Sequence, residues 1–113
     1  MPHLIIEFSE QVESMVSPQL MVEQIRTAAM ASGLFNEQAI KVRAMGYQHF
    51  RGGVDDNDFI HVSARILSGR TLEQRQSLSE VLLKTLQNMS LPELSLSVEV
   101  VEMERESYLK STS

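Results

Sequence analysis

A repeated order of strand-like and helix-like segments constrains this chain more than any other feature. Four runs have the apolar content or the apolar–polar alternation of strands, at residues 3–8, 39–50, 59–67 and 94–103. Alternation with a period of two is typical of strands, whereas apolar residues that recur every three to four positions are typical of helices. A helical stripe follows the first run, and a second helical stripe follows the third. The pattern therefore predicts two successive strand–helix–strand units.

Local signals mark the ends of both helices. Ser17-Pro18 is a suitable start, because serine can cap free amide groups and proline lacks the N–H that the first helical position leaves unpaired. Gly33 is a suitable stop, since glycine readily adopts the left-handed backbone that ends helices. Thr71 and Gln74 have the spacing of a capping box at the start of the second helix. Leu91-Pro92 is expected to end that segment.

These elements predict a single α+β domain over residues 1–113. Strands connected through helices are most simply parallel, with right-handed crossovers. The turn residues at 51–58 predict a hairpin between the second and third strands. The duplicated β-α-β units would form a four-stranded mixed sheet with two helices on one face, leaving the other face uncovered and favouring self-association. The polar tail from about residue 104 is expected to be flexible or peripheral.

Composition and motifs narrow the classes of function. The net charge of −5 argues against a partner that presents a phosphate backbone, so no nucleic-acid binding is expected, although a local cationic pocket remains compatible. The chain has no cysteine and hence no disulfide or thiolate chemistry. It has no signal-peptide pattern or long apolar run, which favours a cytoplasmic protein without a membrane partner. His49 and His61 could meet across the predicted hairpin, but such histidines are more often structural, and no metal site is predicted.

Pro2 has both an ordinary and a chemical interpretation. If Met1 is removed, Pro2 presents a secondary amine; if Met1 stays, the Pro2 nitrogen belongs to an amide and cannot act as a base. An α-amino group has a pKa near ~8, which burial or a nearby cation lowers further. A neutral amine of this kind could serve as a general base near physiological pH. Taken alone, a proline in the second position is more often incidental.

Three cations could accompany that amine. Lys41 and Arg43 alternate along one side of the second strand, and Arg70 lies at the junction of the third strand and the second helix. Each by itself is more often a solvated charge than part of a ligand site. Arg70 could bind a carboxylate through two parallel hydrogen bonds, but it could equally cap backbone carbonyls or pair with Glu73.

The segments MPHLIIEF, GLFNEQAIKVRA, DFIHVSARILSGRTLEQRQ and LSLSVEV together resemble the 5-carboxymethyl-2-hydroxymuconate isomerase family of the tautomerase superfamily. The resemblance covers roughly residues 2–103 and preserves the order of the elements. It implies a duplicated β-α-β fold and a homotrimer packed through its sheets. It also implies an amino-terminal proline in a pocket near the subunit boundaries, with no metal or organic cofactor.

The resemblance further implies that Pro2 carries the proton in a cofactor-independent isomerase. The implied substrate is a small, acidic, unsaturated 2-hydroxy di- or tricarboxylate from the degradation of aromatic compounds. Arg70 matches a family arginine that binds a substrate carboxylate. The family pattern has arginine at both charged positions of IKVR; Arg43 retains one, whereas Lys41 keeps the charge but lacks the bidentate fork. Another keto–enol or hydrolytic reaction of the superfamily and a non-catalytic trimeric binding protein remain open alternatives.

Overall fold

A computed structural model of the chain describes residues 1–53 and 58–112 and confirms the repeated strand–helix–strand order. The strands are β1 (His3–Ser9), β2 (Lys41–Tyr47), β3 (Phe59–Leu67) and β4 (Ser95–Met103), and the helices are α1 (Pro18–Ala31) and α2 (Leu72–Gln87). Short 3-10 helices occupy Glu10–Ser14 and Glu37–Ala39. The second of these replaces the start of the predicted 39–50 strand, so β2 begins later than its sequence pattern indicates.

The sheet is mixed, with the strand order β2-β1-β3-β4. Strands β1 and β2 are parallel, as are β3 and β4, whereas β1 and β3 are antiparallel. The predicted hairpin between the second and third strands is wrong, because β1 lies between them. Ile5, for example, pairs with Arg43 on one side and with Ser63 on the other. The face of β1 that points toward the helices carries Leu4, Ile6 and Phe8, all buried, as suits a strand at the centre of the sheet.

This strand order also separates two histidines. The suggested meeting of His49 and His61 required β2 and β3 to be neighbours, and the intervening β1 places Glu7 opposite His61 instead. His61 pairs on its other side with Ser97 of β4. Residues 54–57 of the predicted turn lie outside the described residues.

The hydrophobic core lies on one face of the sheet, under both helices. Alternate residues of β1 and β3 point into it, and the helices contribute the opposing layer. The fully buried side chains with the largest volumes are Phe8, Leu4, Ile6, Met21, Ile25, Ile60, Ile66, Leu78, Leu82, Leu86, Val12 and Val62. Each buried side chain of this size contributes about 1.5–3 kcal/mol relative to exposure. The arrangement confirms the prediction of two helices on one face of the sheet. None of the described helices is long and apolar enough to cross a membrane.

Both helix starts and the end of α1 lie where the local signals predict, whereas α2 ends at Gln87, before the predicted stop at Leu91-Pro92. Thr71 and Gln74 form the predicted capping box: the Thr71 hydroxyl accepts from the Gln74 amide at 3.1 Å, and the Gln74 side chain accepts from the Thr71 amide at 2.9 Å. Gly33 follows α1 with φ of +74°, as expected of a helix stop. Ser17 occupies the N-cap position of α1, but its side chain makes no capping hydrogen bond. Its backbone carbonyl accepts from the Met21 amide instead.

Candidate active site

The strand directions bring the beginning of the chain together with three later segments. Pro2 is buried directly before β1, and its carbonyl accepts a hydrogen bond of 3.1 Å from the Lys41 amide at the start of β2. Because β3 runs antiparallel to β1, its carboxyl end lies at this same edge, and Arg70 follows it. Strand β4 is parallel to β3, so the tail also leaves the sheet here; the Met103 carbonyl accepts from the Ser68 amide at 2.9 Å. The structure thus assembles Pro2, Lys41, Arg70 and the tail at one edge.

Two donors approach the side chain of Met1. The Tyr108 hydroxyl donates to the Met1 Sδ at 2.9 Å, and the Lys41 Nζ lies 4.0 Å from the same sulfur. Tyr108 belongs to the tail that was expected to be flexible or peripheral, and sequence reasoning did not single it out. The available signal was the direction of the strands, which sends residues after Met103 toward the start of β1.

Arg70 is held by the segment between α1 and β2. Its Nη2 donates to the Leu34 carbonyl at 2.6 Å, and its guanidinium lies over the Phe35 ring, 5.3 Å from the ring centroid. Of the alternatives open from the sequence, the structure therefore shows carbonyl binding, and within the described chain Arg70 forms no ion pair with Glu73. A guanidinium has five N–H groups in a rigid plane. The contact with Leu34 therefore orients the group while leaving further donors for a ligand.

Arg43 contacts a neighbouring histidine. Its Nη1 lies 3.3 Å from the His3 Nδ1, and the His3 Nε2 lies 3.0 Å from the Tyr108 hydroxyl. A guanidinium can only donate, so the His3 Nδ1 is the acceptor and the ring proton is assigned to Nε2. Partial burial and the charges of Arg43 and Lys41 lower the pKa of His3 below its ordinary 6.5, which favours this neutral form at pH 7.

The amino group of Met1, the first residue in this structure, lies in a positive environment. Burial lowers its pKa below the ordinary 8.0, and the charges of Lys41, Lys110 and Arg70 lower it further. Partial desolvation and the neighbouring Lys110 also lower the pKa of Lys41. The two shifts have the same two causes: desolvation disfavours the charged form of each amine, and the neighbouring positive charges disfavour it further.

No carboxylate neutralises these cations among the residues at 1–53 and 58–112. The ion pairs found there use Arg26, His61 and Arg75, whereas Lys41, Arg43, Arg70 and Lys110 form none. In a chain with a net charge of −5, a group of unpaired cations around one amine is an attractive site for a small anion. Lys41, Lys110 and Arg70 also lower the pKa of the Met1 amine, and an α-amino group of lowered pKa is suited to accept a proton near pH 7.

Known proteins are similar to this chain in sequence and in fold. The sequence matches the family 5-carboxymethyl-2-hydroxymuconate isomerase over residues 2–113. It is 26% identical over 110 residues to a 5-carboxymethyl-2-hydroxymuconate Delta-isomerase from Escherichia coli, a match that covers 91% of this chain and 87% of that protein. The family match therefore includes all the elements that form the candidate site.

Solved structures share the fold. A 5-carboxymethyl-2-hydroxymuconate isomerase from Deinococcus radiodurans R1 superposes with a TM-score of 0.85 at 20% identity, covering 99% of this chain and 90% of that one. A fused 4-OT wild-type symmetric trimer gives a TM-score of 0.75 at 12% identity, covering 91% of this chain and 86% of that one. These likenesses confirm the duplicated β-α-β architecture.

Proposed function

Because the chain belongs to the 5-carboxymethyl-2-hydroxymuconate isomerase family and is thus an isomerase, we propose that it moves a proton in a small unsaturated 2-hydroxy di- or tricarboxylate. Pro2 acts as the base, without a metal or organic cofactor. Lys41 and Arg70 bind the acidic groups, and Arg43 adds positive charge beside them. The observation that carries this proposal is the group of unpaired cations around the terminal amine.

The proposed reaction requires the removal of Met1. Pro2 then has a secondary amine with a free electron pair, and the match to the family begins at this residue. The amine takes the proton from the 2-hydroxyl group of the dienol, so that an O–H bond breaks and a carbonyl forms. The protonated amine then delivers a proton to the conjugated carbon chain, where a C–H bond forms and the double bonds shift. Charge and oxidation state are unchanged, and the nearby cations stabilise the developing oxyanion.

A direct assay tests the reaction. Protein whose intact mass shows that Met1 is absent is mixed with 2-hydroxymuconate or its 5-carboxymethyl derivative, and the loss of dienol absorbance is followed. Acceleration of this loss over the buffer rate supports the proposal. A rate equal to that of buffer with both acids contradicts it, and would favour another reaction of the superfamily or a binding role.

The pH dependence of kcat/KM tests the electrostatic part of the proposal. Nearby cations destabilise the protonated amine, so the free base predominates at a lower pH than for an ordinary α-amino group. Desolvation and the charges of Lys41, Lys110 and Arg70 lower the pKa of the Met1 amine, and the Pro2 amine would take its place beside the same cations. We therefore expect kcat/KM to rise with pH along an acid limb with a pKa below the ~8 of an ordinary α-amino group. Lys110→Ala removes one of the cations and should move this limb to higher pH.

Lys84→Ala is the matched control, because Lys84 lies in the last turn of α2 and is not among the charges that act on the amine. Its acid limb should coincide with that of the unchanged protein. Rates are measured between about pH 5 and pH 9, a range that spans the ordinary pKa of the amine. An acid limb that stays in place in Lys110→Ala, or moves to lower pH, would contradict the proposed influence of Lys110.

We also propose a homotrimer that associates through the uncovered face of the sheet. Symmetric trimers occur among the proteins of similar fold, and this face carries exposed apolar area, including Met45 with 61% of its surface accessible. Light scattering coupled to size exclusion should give three times the 12.8 kDa of one chain. A monomer at the concentrations used for the activity assay would exclude this assembly as the active form.

A further inference from the structure

A chain of three hydrogen bonds ends beside the amino terminus. Arg43 donates to the His3 Nδ1 at 3.3 Å, and the His3 Nε2 donates to the Tyr108 oxygen at 3.0 Å. Tyr108 in turn donates to the Met1 Sδ at 2.9 Å. The directions follow from chemistry: arginine has no acceptor, and a phenol has one proton, which stays available when its oxygen accepts from histidine. The hydroxyl of Tyr108 is therefore oriented as a donor into the site.

Met1 occupies the point at which two donors meet. Its sulfur is a weak acceptor, yet it receives the Tyr108 hydroxyl at 2.9 Å and has the Lys41 Nζ at 4.0 Å. When Met1 is removed, as the proposed function requires, the space that its side chain fills between Lys41 and Tyr108 becomes accessible to a ligand. A negatively charged oxygen is a much better acceptor than a thioether for both donors.

We propose that Lys41 and Tyr108 form a two-point clamp for one carboxylate of the substrate, with His3 as the positioning residue of Tyr108. This inference rests on the proposed function, because the clamp forms only once Met1 has left. An ammonium group is a point charge that attracts a carboxylate without fixing its orientation. The Tyr108 hydroxyl donates to the same carboxylate from a second position and so fixes its orientation. Lys41 and Tyr108 together then replace the two donors of a bidentate arginine.

The surroundings of Tyr108 hold it at this position. Its ring packs against the His3 ring in a T-shaped arrangement, with the centroids 6.1 Å apart. Its amide donates to the Glu104 carbonyl at 3.1 Å, which closes a turn at the start of the tail. Arg105 anchors that turn to the end of β3 by donating from Nη2 to the Ser68 carbonyl at 3.0 Å. The tail is thus attached at Arg105 and at Tyr108 before a substrate arrives.

Tyr108→Phe tests the clamp, because it removes the hydroxyl and retains the ring contact with His3. Muconate serves as a binding probe: it is an unsaturated dicarboxylate without the 2-hydroxyl group and cannot undergo the reaction. We expect Tyr108→Phe to weaken muconate binding about 10-fold by calorimetry and to raise KM for 2-hydroxymuconate by a similar factor. The kcat should change by less than about threefold, since a carboxylate contact made before and during the reaction acts on binding.

Tyr47→Phe is the matched control. Tyr47 donates its hydroxyl to Glu7 at the far end of β1 from the site, so the same substitution there should leave both constants unchanged. His3→Gln keeps an N–H donor near the position of Nε2 and should retain most of the affinity, whereas His3→Ala should lower it to the level of Tyr108→Phe. Adding Lys41→Arg to Tyr108→Phe should restore muconate binding to within about threefold, because arginine provides two donors itself.

The two readouts separate this inference from the proposed reaction. Muconate binding that depends on Tyr108, in a protein that does not accelerate the loss of dienol absorbance, supports the clamp and contradicts the proposed reaction. A reaction that proceeds while Tyr108→Phe leaves KM and muconate affinity unchanged contradicts the clamp alone. Equal losses of muconate affinity in Tyr108→Phe and Tyr47→Phe would also overturn the clamp. So would the absence of muconate binding to the unchanged protein.

Discussion

Pro2→Ala should reduce kcat/KM for 2-hydroxymuconate by about 100- to 1,000-fold in protein that lacks Met1. Alanine also permits removal of Met1, so the variant still presents a terminal amine. That amine is primary and lacks the ring that restricts its position, so fewer of its orientations direct the electron pair toward the substrate. Initial rates of dienol loss measure the effect, and intact mass establishes which residue is first.

The form that retains Met1 provides the sharper comparison. In this form the Pro2 nitrogen is an amide without a basic electron pair, and Met1 occupies the space beside Lys41 and Tyr108. We expect no measurable turnover from the form that retains Met1, whereas processed Pro2→Ala should keep a low residual rate. The fold should be unaffected in both proteins, because the hydrogen bond from the Lys41 amide uses the backbone carbonyl of residue 2. Turnover by the Met1 form at the rate of the processed protein would rule out Pro2 as the base.

Arg70→Ala should reduce kcat/KM by about 100-fold, mainly through a higher KM. Removing one partner of a poorly solvated, hydrogen-bonded charge pair typically lowers affinity by this order. For Arg70→Lys we expect a kcat/KM between those of Arg70→Ala and the unchanged protein, because lysine keeps the charge and lacks the planar fork. Steady-state rates and muconate binding measure the effect.

Arg70 also contacts the Leu34 carbonyl and the Phe35 ring, so its removal affects the loop as well as the charge. Arg26→Ala is the matched control: it deletes an arginine that pairs with Glu37 at 3.7 Å on the protein surface. The KM of Arg26→Ala should equal that of the unchanged protein, since exposed ion pairs contribute little to stability and this one lies outside the candidate site. Thermal unfolding of each variant separates loss of stability from loss of binding. An unchanged KM and muconate affinity in folded Arg70→Ala would exclude Arg70 from the site.

Much of the candidate site could be predicted from the sequence. Pro2, Lys41 and Arg70 were selected there, and the structure brings them to one edge of the sheet. Within the first β-α-β unit, β1 and β2 are parallel, so Pro2 before β1 and Lys41 at the start of β2 lie at the same edge. Arg43 is different: it was expected to bind substrate, and its observed contact is the ring of His3. Alternation along a strand indicates the side on which a residue lies, whereas its partner depends on the rotamers of both side chains.

The contribution of Tyr108 could not be identified from local patterns. Its two partners at the site, Met1 and His3, are 107 and 105 positions away in the sequence. The tail has neither a helical nor a strand period, so composition alone indicated a polar and peripheral segment. Only the path of β4, parallel to β3 and antiparallel to β1, returns the chain to the site where it began.

Patterns within the sequence are sufficient to predict the type and order of the helices and strands, the capping box of α2 and the parallel pairing within each β-α-β unit. These features depend on periodicity, capping and crossover length, which act within one element or between consecutive ones. Two features appear only in the folded chain: β1 lies between β2 and β3, against the predicted hairpin, and Tyr108 reaches Met1. Such choices depend on the packing free energy of the whole sheet, because Leu4, Ile6 and Phe8 of β1 pack in a core to which β3 and both helices also contribute, and no pattern within one element records those contacts.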